Sequence, residues 1–386
     1  MTSSDRYFEN LATSAQTVDA KGELLASLKR LTKFYPPVHT CSTDWSFSGL
    51  YTGPTSISFL FYRLSHLYPD VEFDGQSFLE WAQAYLKLGT RAQAQHKRAP
   101  SPSHCGIGNE TLVHLALSAL IEEDTGKVRR LCKFAGAVNE TDADASNEWL
   151  YGRAGYLYLL RLCYRSDAFS KDRHPSTSAM LEETIKETVE RILGTPQPWT
   201  WHGKQYLGAA HGVIGIITQV VLSLPSTASR LQPLLLGLLE RQFPSGNFPS
   251  SVPVGSDRLV QFCHGGPGFI MSLRNLLPHF PDIADKVKAA VDNAREDTWK
   301  RGLLTKEPCL CHGIAGNALA FEDDVRFSHF LSFMGSEKLE QMTGEGVNNQ
   351  RDTEKAGLFT GGAGRAWCWA VADKGLAKTC IGYDDV

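Results

Sequence analysis

The sequence of 386 residues lacks any long hydrophobic run. No stretch approaches the roughly 18 consecutive apolar residues of a membrane-spanning helix. The polar segment from Met1 to Gln16 also lacks the apolar core of a signal peptide. We therefore expect a cytoplasmic protein, and peripheral contact with the plasma membrane stays open as an alternative.

An excess of basic charge is missing as well. The formal net charge is −3 and the pI is near 6.5, whereas a nucleic-acid-binding protein normally carries a basic face. The nine cysteines are odd in number and scattered, and a chain of this length can bury a core without disulfide cross-links. These features argue against nucleic acid as a partner and favour a reducing compartment.

Alternating, strand-like patterns are scarce, and helical periodicity dominates the sequence. Leu181, Ile185, Val189 and Ile192 recur at the spacing of an amphipathic helix. Other segments, such as residues 213–224, are apolar all round, which is typical of a helix that is buried on every side. The sequence thus predicts an all-α protein that pairs outer amphipathic helices with inner buried ones.

A short glycine motif recurs along the chain and opens an apolar segment each time. Its copies are roughly 50 residues apart, a period that suits one helix pair per repeat. Periodicity alone does not distinguish an open superhelix from a closed ring. The apolar last repeat, with Trp367 and Trp369, favours a ring that buries it against the first. The seven copies lie at residues 51–56, 104–109, 150–155, 210–215, 263–268, 311–316 and 359–364.

Two of the glycine motifs begin with a Cys-His pair, Cys263-His264 and Cys311-His312. Cys263, Cys311 and His312 could supply three ligands to one metal ion, and three protein ligands leave the fourth position of a catalytic zinc site open. Free cysteine is also often a small, packed core residue. The residues alone therefore leave metal binding and simple packing as equal alternatives.

Five longer segments, in order along the chain, resemble the lanthionine synthetase C-like family, and most closely its eukaryotic LanC-like members. The similarity extends from about residue 45 to about residue 370. The segments that carry it are EWLYGRAG at 148–155, WHGKQYLGAAHG at 201–212, PSGNFP at 244–249, FCHG at 262–265 with Pro267-Gly268, and LCHG at 310–313 with Ala315-Gly316-Asn317.

This resemblance implies a closed (α/α)7 toroid of seven inner and seven outer helices, with one zinc ion per chain at one mouth of the ring. Residues 1–40 would form an N-terminal extension and the first outer helix, and residues 41–386 a single toroid domain. The implied chemistry is the addition of a zinc-activated thiol to dehydroalanine or dehydrobutyrine, which forms a thioether. The eukaryotic members are implied to use glutathione on dehydrated proteins or peptides.

The resemblance selects Cys263, Cys311 and His312 as the zinc ligands, because the family places the ligand cysteine directly before His-Gly. Cys309 is the rival of Cys311 and is interpreted as a bystander. His264 follows Cys263 as His312 follows Cys311. If both histidines bound the metal, no position would remain for substrate, so His264 is assigned a supporting place on the substrate side of the site.

By the same resemblance, His211 and Glu148 are the candidate catalytic residues. His211 occupies the histidine position of its glycine motif but follows Ala210 instead of a cysteine. A histidine that titrates near neutral pH is suited to protonating an enolate, and Glu148 could orient it or take a proton. The alternatives are a capping or core histidine, and an exposed acidic residue in the first turn of a helix.

Three basic residues are candidate glutathione contacts. Lys306 lies five residues before Cys311, where eukaryotic relatives place such a lysine. Arg6 matches over a short segment only, and Arg258, five residues before Cys263, matches in a different register. A lone basic residue on a loop is otherwise usually just solvated.

Three functions remain open from the sequence. The expected one is a zinc-dependent enzyme that adds glutathione to dehydroamino acids in proteins or peptides. The others are a non-catalytic adaptor that binds zinc and glutathione, and a lanthipeptide-type cyclase whose thiol comes from the peptide substrate itself. A glycosidase on a similar scaffold would need two opposed carboxylates, and only Glu148 lies on a motif loop.

Overall fold

The computed structural model describes residues 6–10, 18–38, 45–93, 99–338 and 353–386. Within these ranges helices dominate, which confirms the predicted all-α class, and the strands form two short antiparallel pairs. The helices are α1 (Ala20–Phe34), α2 (Pro54–Leu67), α3 (Phe78–Gln93), α4 (Glu110–Glu122), α5 (Thr125–Lys133), α6 (Ala135–Val138), α7 (Arg153–Tyr164), α8 (Pro175–Leu193), α9 (Val213–Ser223), α10 (Ala228–Leu239), α11 (Gly266–Leu276), α12 (Ala284–Arg301), α13 (Ile314–Ala318), α14 (Asp324–Leu331) and α15 (Gly362–Lys374). The strands are β1 (Glu72–Phe73) paired with β2 (Gln76–Ser77), and β3 (Gln205–Tyr206) paired with β4 (Ser251–Val252).

Inner and outer helices alternate along the chain and pack in pairs. The inner helices α2, α4, α7, α9, α11 and α13 pack against the outer helices α3, α5, α8, α10, α12 and α14, respectively. The remaining inner helix, α15, packs against α1 at the other end of the chain, and also against α2. This last pair closes the ring, as predicted from the apolar character of the seventh repeat.

The burial pattern follows the sequence pattern. The inner helix α7 buries every residue from Arg153 to Cys163. The outer helix α8 buries a stripe that includes Leu181, Ile185 and Val189, while its other face is solvated. The apolar core therefore lies between the two layers of helices and around the inner one.

The segments before the inner helices form a closed series of backbone hydrogen bonds at one end of the ring. The N–H of Ala210 donates to the Cys263 carbonyl at 3.5 Å, and that of Cys263 to the Cys311 carbonyl at 3.0 Å. Cys311 then donates to Phe359 at 2.9 Å, and Phe359 to Tyr51 at 3.0 Å. The same series continues from Leu50 to Ile107 (2.9 Å), from Ile107 to Trp149 (3.3 Å) and from Leu150 to Ala210 (3.3 Å).

The glycine motifs supply the residues at which the inner helices begin. A Cβ at Gly313 would lie 2.1 Å from the carbonyl oxygen of Glu307, and Gly265 has a φ of 120°, so both positions require glycine. In the second repeat Asn109 takes this place, and its side chain accepts a hydrogen bond from the N–H of Leu112. That repeat therefore begins three residues after the Gly106 from which its period was counted.

Residues 376–386, which we call the C-terminal tail, contact several inner helices and so fill the centre of the ring. Tyr383 is fully buried, and its hydroxyl lies 2.6 Å from that of Ser272 on α11. Its ring meets Trp149 and Phe262 edge-on, with centroids 5.4 and 5.0 Å apart. The indole N–H of Trp149 donates to the Gly382 carbonyl at 3.2 Å.

Two buried carboxylates attach the C-terminal tail to the inner helices. Asp385 pairs with Arg63 of α2 at 2.7 Å, and Asp384 lies 3.7 Å from Arg274 of α11. Neither carboxylate side chain is exposed to solvent. The tail thus closes the centre of the ring beneath Trp149 and Phe262, which are the chain neighbours of two predicted site residues.

The N-terminal segment 6–10 packs against the residues that follow α12. The N–H of Phe8 donates to the Leu303 carbonyl at 2.8 Å, and the N–H of Thr305 donates to the Arg6 carbonyl at 3.1 Å. The predicted domain boundary at residue 40 lies outside the described residues, so that division stays a prediction. None of the helices in the described ranges has the length and apolar character needed to cross a membrane.

Candidate functional site at one mouth of the ring

The end of the ring that carries the glycine motifs also carries most of the predicted site residues. Glu148 precedes α7, His211 precedes α9, and Cys263 precedes α11; these three helices are neighbours. Cys311 and His312 precede α13, and the backbone bond from Cys263 to Cys311 joins the last two segments. Four successive repeats therefore contribute side chains to one mouth.

Two buried sulfurs lie in contact there. Cys263 and Cys311 are 6% and 4% exposed, and their side chains are hydrogen-bonded to each other. The Tyr51 hydroxyl donates to Cys311 Sγ at 3.2 Å, and Gln261 Nε2 donates to Cys263 Sγ at 3.1 Å. The hydrogen bond from Cys311 lowers the pKa of Cys263 despite burial, and the same contact raises the pKa of Cys311. The pair thus favours a thiolate on Cys263 and a thiol on Cys311.

The donor chemistry at this position suits zinc. Two adjacent cysteine sulfurs, one of them with a lowered pKa, are ligands that zinc prefers. His312 is half-buried, and burial followed by the charge of Lys306 lowers its pKa, which favours the neutral imidazole that metals bind. Among the described residues, however, no group of three or more His, Cys, Asp or Glu side chains is arranged to hold a metal ion. The ligand set Cys263, Cys311 and His312 therefore stays a prediction.

Cys309 has a different environment from Cys311. Its buried sulfur accepts hydrogen bonds from the backbone N–H groups of His312 and Cys311. These bonds hold the turn that leads into α13, and burial raises the pKa of Cys309 to about 12. The contacts favour the interpretation of Cys309 as a structural bystander.

His211 and Glu148 form a hydrogen-bonded pair. The Nδ1 atom of His211 lies 2.9 Å from Glu148 Oε2. The same carboxylate accepts the backbone N–H groups of Leu150, at 2.8 Å, and of Tyr151. Glu148 is only 2% exposed, so it is not the solvated first-turn residue that the sequence left as an alternative. With Nδ1–H donated to Glu148, Nε2 is the nitrogen of His211 that can exchange a proton with a substrate.

Trp201 stacks on one face of the His211 imidazole. The two rings are parallel within 3°, with centroids 4.1 Å apart. Trp201 is placed by a two-residue turn, in which the N–H of Trp201 donates to the Lys204 carbonyl at 2.9 Å. Both central residues have positive φ, 48° at His202 and 71° at Gly203, as in the tight turns that join antiparallel strands. The turn and the carboxylate together fix the orientation of His211.

Of the remaining predicted residues, three lie near the site and Arg258 does not contact it. Lys306 Nζ bonds to Gln261 Oε1 at 3.2 Å, and the Arg6 backbone pairs one residue away, at Thr305. His264 lies with its ring 6.0 Å from that of His211. Burial, then the charge of His211, lowers the pKa of His264 to about 4, so it is neutral. Arg258 is exposed before α11, and among the described residues no hydrogen bond or ion pair joins its side chain to the site.

Three residues at this mouth were not identified as functional from the sequence. Tyr51 could have been found, because it stands two residues before the N-cap of its inner helix, as Cys263 and Cys311 do. Gln261 and Trp201 carry no such signal. Their roles depend on contacts that only the folded ring creates.

Comparison with known proteins gives a family match. The model of the family described as "Lanthionine synthetase C-like protein" matches residues 44–371. Glutathione S-transferase LANCL1 of Danio rerio is 29% identical over 291 residues, which are 70% of this chain and 68% of that protein. LanC-like protein GCL1 of Arabidopsis thaliana is 30% identical over 249 residues, which are 58% of this chain and 54% of that protein.

Among solved structures, nisin cyclase has the same fold. The TM-score is 0.60, and the superposition covers 95% of this chain and 97% of that chain. Sequence identity is 14%, so the likeness concerns the fold alone. It confirms the predicted helical toroid.

Proposed function

Because the chain belongs to the lanthionine synthetase C-like family, we propose that it is an enzyme that adds the thiol of glutathione to dehydroalanine or dehydrobutyrine residues. The acceptors would be dehydrated proteins or peptides, and the product a thioether. The observation that carries the proposal is that the Cys263–Cys311 pair and the His211–Glu148 pair lie at the same mouth of the ring. The reaction needs an activated thiol and a proton donor, and this mouth offers a place for each.

We infer that Cys263, Cys311 and His312 hold one zinc ion. The contact between the two sulfurs and the tendency of His312 to be neutral support this ligand set. A zinc ion bound there would lower the pKa of a substrate thiol, which is ordinarily near 8.5. Gln261 and Tyr51 would keep the two cysteine sulfurs in place through their hydrogen bonds.

The addition moves one S–H across a carbon–carbon double bond. The thiolate sulfur bonds to Cβ of the dehydroamino acid, the π electron pair moves to give an enolate, and Cα then takes a proton. His211 would supply that proton from Nε2 while Glu148 holds Nδ1–H at 2.9 Å. Trp201 would keep the imidazole plane fixed during the transfer. General acid–base catalysis of this kind contributes about 10²–10⁴-fold to a rate.

Glutathione is anionic through its carboxylates, and two basic residues support it as the thiol. Lys306 reaches Gln261, which in turn contacts the Cys263 sulfur. The Nε atom of Arg6 is buried and meets no hydrogen-bond acceptor among the described residues. A carboxylate of glutathione would satisfy it, since a buried unpaired donor is costly. The neutral His264 would line the same space, whereas Arg258 has no part in this arrangement.

The experiment that tests this function is incubation of a dehydroalanine peptide with glutathione and the zinc-loaded protein, followed by mass spectrometry. We expect the peptide to gain one intact glutathione. His211→Ala should retain zinc and lower the rate of addition by about 100-fold or more. The absence of an adduct with zinc-loaded wild-type protein would contradict the proposed enzyme, and unchanged turnover by His211→Ala would contradict the acid role of this residue.

The two other functions are distinguished in the same assay. An adaptor would bind glutathione without forming an adduct, and the His211–Glu148 hydrogen bond speaks against it because a binder needs neither residue. A cyclase would prefer a peptide that carries its own cysteine. Such a peptide would keep its mass on cyclisation but lose its reaction with a thiol-alkylating reagent.

A further inference from the structure

A cleft of about 660 Å³ opens beside the candidate acid–base pair. The rings of His104, Tyr151, Trp201 and His202 line it, and Asp144 stands at its edge. We call it the aromatic cleft. The addition reaction described above uses one of these rings, Trp201, to hold His211, and it assigns no ligand to the cleft itself.

Stacked rings connect the aromatic cleft to His211. Centroids are 5.7 Å apart between His104 and Tyr151, 5.8 Å between Tyr151 and Trp201, and 4.1 Å between Trp201 and His211. Tyr151 and Trp201 both approach His211 directly, with centroids 6.0 and 4.1 Å from that of its imidazole. An extended peptide advances about 3.3–3.6 Å per residue. A side chain two or three residues from the reacting double bond would therefore reach the cleft.

The described residues that line the aromatic cleft carry one negative charge, and the nearby Lys204 ammonium lies over the Tyr206 ring at 5.3 Å, outside this lining. Asp144 is the one charged side chain among the described residues that line it, and it is exposed. Two further exposed carboxylates, Glu140 and Asp142, lie in the same short segment of chain. The nearby Arg191 is directed elsewhere, toward the Glu140 carbonyl at 3.3 Å and Thr141 Oγ1 at 3.1 Å.

Aromatic faces combined with a carboxylate are the surroundings that bind a guanidinium or an ammonium group. We propose that the aromatic cleft binds an arginine or lysine side chain of the acceptor peptide, located two or three residues from the dehydroamino acid. This inference rests on the proposed function, because it names the acceptor that the enzyme selects. Asp144 is then a specificity-determining residue, and the rings that line the cleft provide its aromatic surface.

The test uses three dehydroalanine peptides that differ only at this flanking position, which is Arg, Gln or Glu. With glutathione and zinc-loaded wild-type protein we expect kcat/KM to be about tenfold higher for the Arg peptide than for the Glu peptide. Asp144→Asn should reduce this ratio to about threefold or less, and Asp144→Lys should invert it, while the Gln peptide reacts as before. Asp282→Asn, an exposed carboxylate on the loop between α11 and α12, is the matched control and should leave the ratio unchanged.

Binding of unreactive analogues separates this proposal from the proposed function. In these peptides alanine replaces dehydroalanine, and fluorescence anisotropy gives the Kd without any chemistry. If no peptide is converted but the Arg analogue binds more tightly than the Glu analogue in an Asp144-dependent way, the cleft stands and the reaction is wrong. Equal binding of the Arg and Glu analogues, or a preference that Asp144→Asn leaves undiminished, would overturn the cleft proposal.

Discussion

Each of the two motif cysteines depends on a side chain that stabilises charge on its sulfur. Gln261 serves Cys263 from the same loop, whereas Tyr51 reaches Cys311 from the opposite end of the sequence. Donors directed at sulfur favour the thiolate form. They therefore favour, at two buried neighbouring sulfurs, the form in which cysteine binds a metal.

Cys263, Cys309 and Cys311 should differ in their effect on zinc. We expect one zinc ion per wild-type chain, and loss of that ion in Cys263→Ala or Cys311→Ala, because each change removes a thiolate ligand. Cys309→Ala is the matched control and should keep the metal, since the Cys309 sulfur bonds to backbone N–H groups. Elemental analysis by plasma mass spectrometry gives the number of zinc ions per chain.

Wild-type protein that contains no zinc after preparation without chelators would refute the metal site. The ligand assignment alone would be wrong if Cys309→Ala lost the ion and Cys311→Ala kept it. In this second outcome the zinc ligand would be Cys309 instead of Cys311, and the proposed thiol chemistry would be unchanged.

At the scale of residues, the sequence predicted where the site residues lie but not which side chains contact them. Cys263 and His211 stand at fixed places in a repeated motif, so their common location followed from the repeat, whereas Glu148 lies just before its copy of the motif and was assigned from the family resemblance. The stack of Trp201 on His211 and the Gln261–Cys263 bond have no periodic spacing. They arise from how loops of neighbouring repeats fold over one mouth, which a one-dimensional pattern does not specify.

At the scale of elements, the short hairpin that carries Trp201 is the part of the site with the most demanding backbone. His202 and Gly203 both have positive φ, and the left-handed conformation costs a non-glycine residue about 1–2 kcal/mol. The hairpin continues into β3, which pairs with β4 on the loop before α11. It therefore connects the acid–base residue to the segment that leads to Cys263.

Replacement of Gly203 by valine should impair activity through this turn. The valine side chain would have room, because no atom of the described residues lies within 4 Å of a Cβ added at this position. However, a φ of 71° is strongly unfavourable for a branched residue. We expect a loss of about 1–2 kcal/mol in unfolding free energy and a lower kcat for thiol addition, with zinc content unchanged.

Gly255→Val provides the matched control for that change. Gly255 also has open space around its Cβ and has no positive φ, so its replacement should be nearly neutral in urea unfolding and in turnover. Equal effects of the two substitutions would show that the turn does not position Trp201.

The second repeat shows how far element boundaries could be predicted. Its glycine, Gly106, suggested where α4 begins, but Asn109 is the N-cap. Asparagine performs the same capping role through its side chain, so the helix start shifted while the repeat itself was identified correctly. The helix pairs were predictable from hydrophobic spacing, because in each pair the inner helix is buried on all sides and the outer helix buries one apolar stripe.

At the scale of the whole molecule, the C-terminal tail fills the centre of a ring that would otherwise be hollow. The Tyr383 side chain meets residues from α11 and from the segments before α7 and α11 at once. Nothing in the sequence predicted this, because adjacent aspartates such as Asp384 and Asp385 are usually exposed. Their burial depends on arginines from α2 and α11 that only a closed ring directs to the centre.

Loss of the Tyr383 ring should destabilise the entire toroid. Tyr383→Ala would leave a cavity beneath Trp149 and Phe262, and large-to-small changes of aromatic core residues cost about 3–5 kcal/mol. Tyr164→Ala makes the same chemical change at a site that is 36% exposed, and we expect about 0.5 kcal/mol or less there. Urea unfolding monitored by tryptophan fluorescence measures both, and similar losses would mean that the tail does not support the ring.

The place of the tail also sets an order for folding during translation. Residues 376–386 leave the ribosome after α1 to α15 have been made, so a nascent chain that ends with α15 has an empty apolar centre lined by Trp149, Phe262 and Phe359. Transiently exposed apolar surface of this kind is prone to aggregation and is where chaperones act. A stop codon at position 376 would therefore leave every helix in place and still release a polypeptide that cannot complete its core.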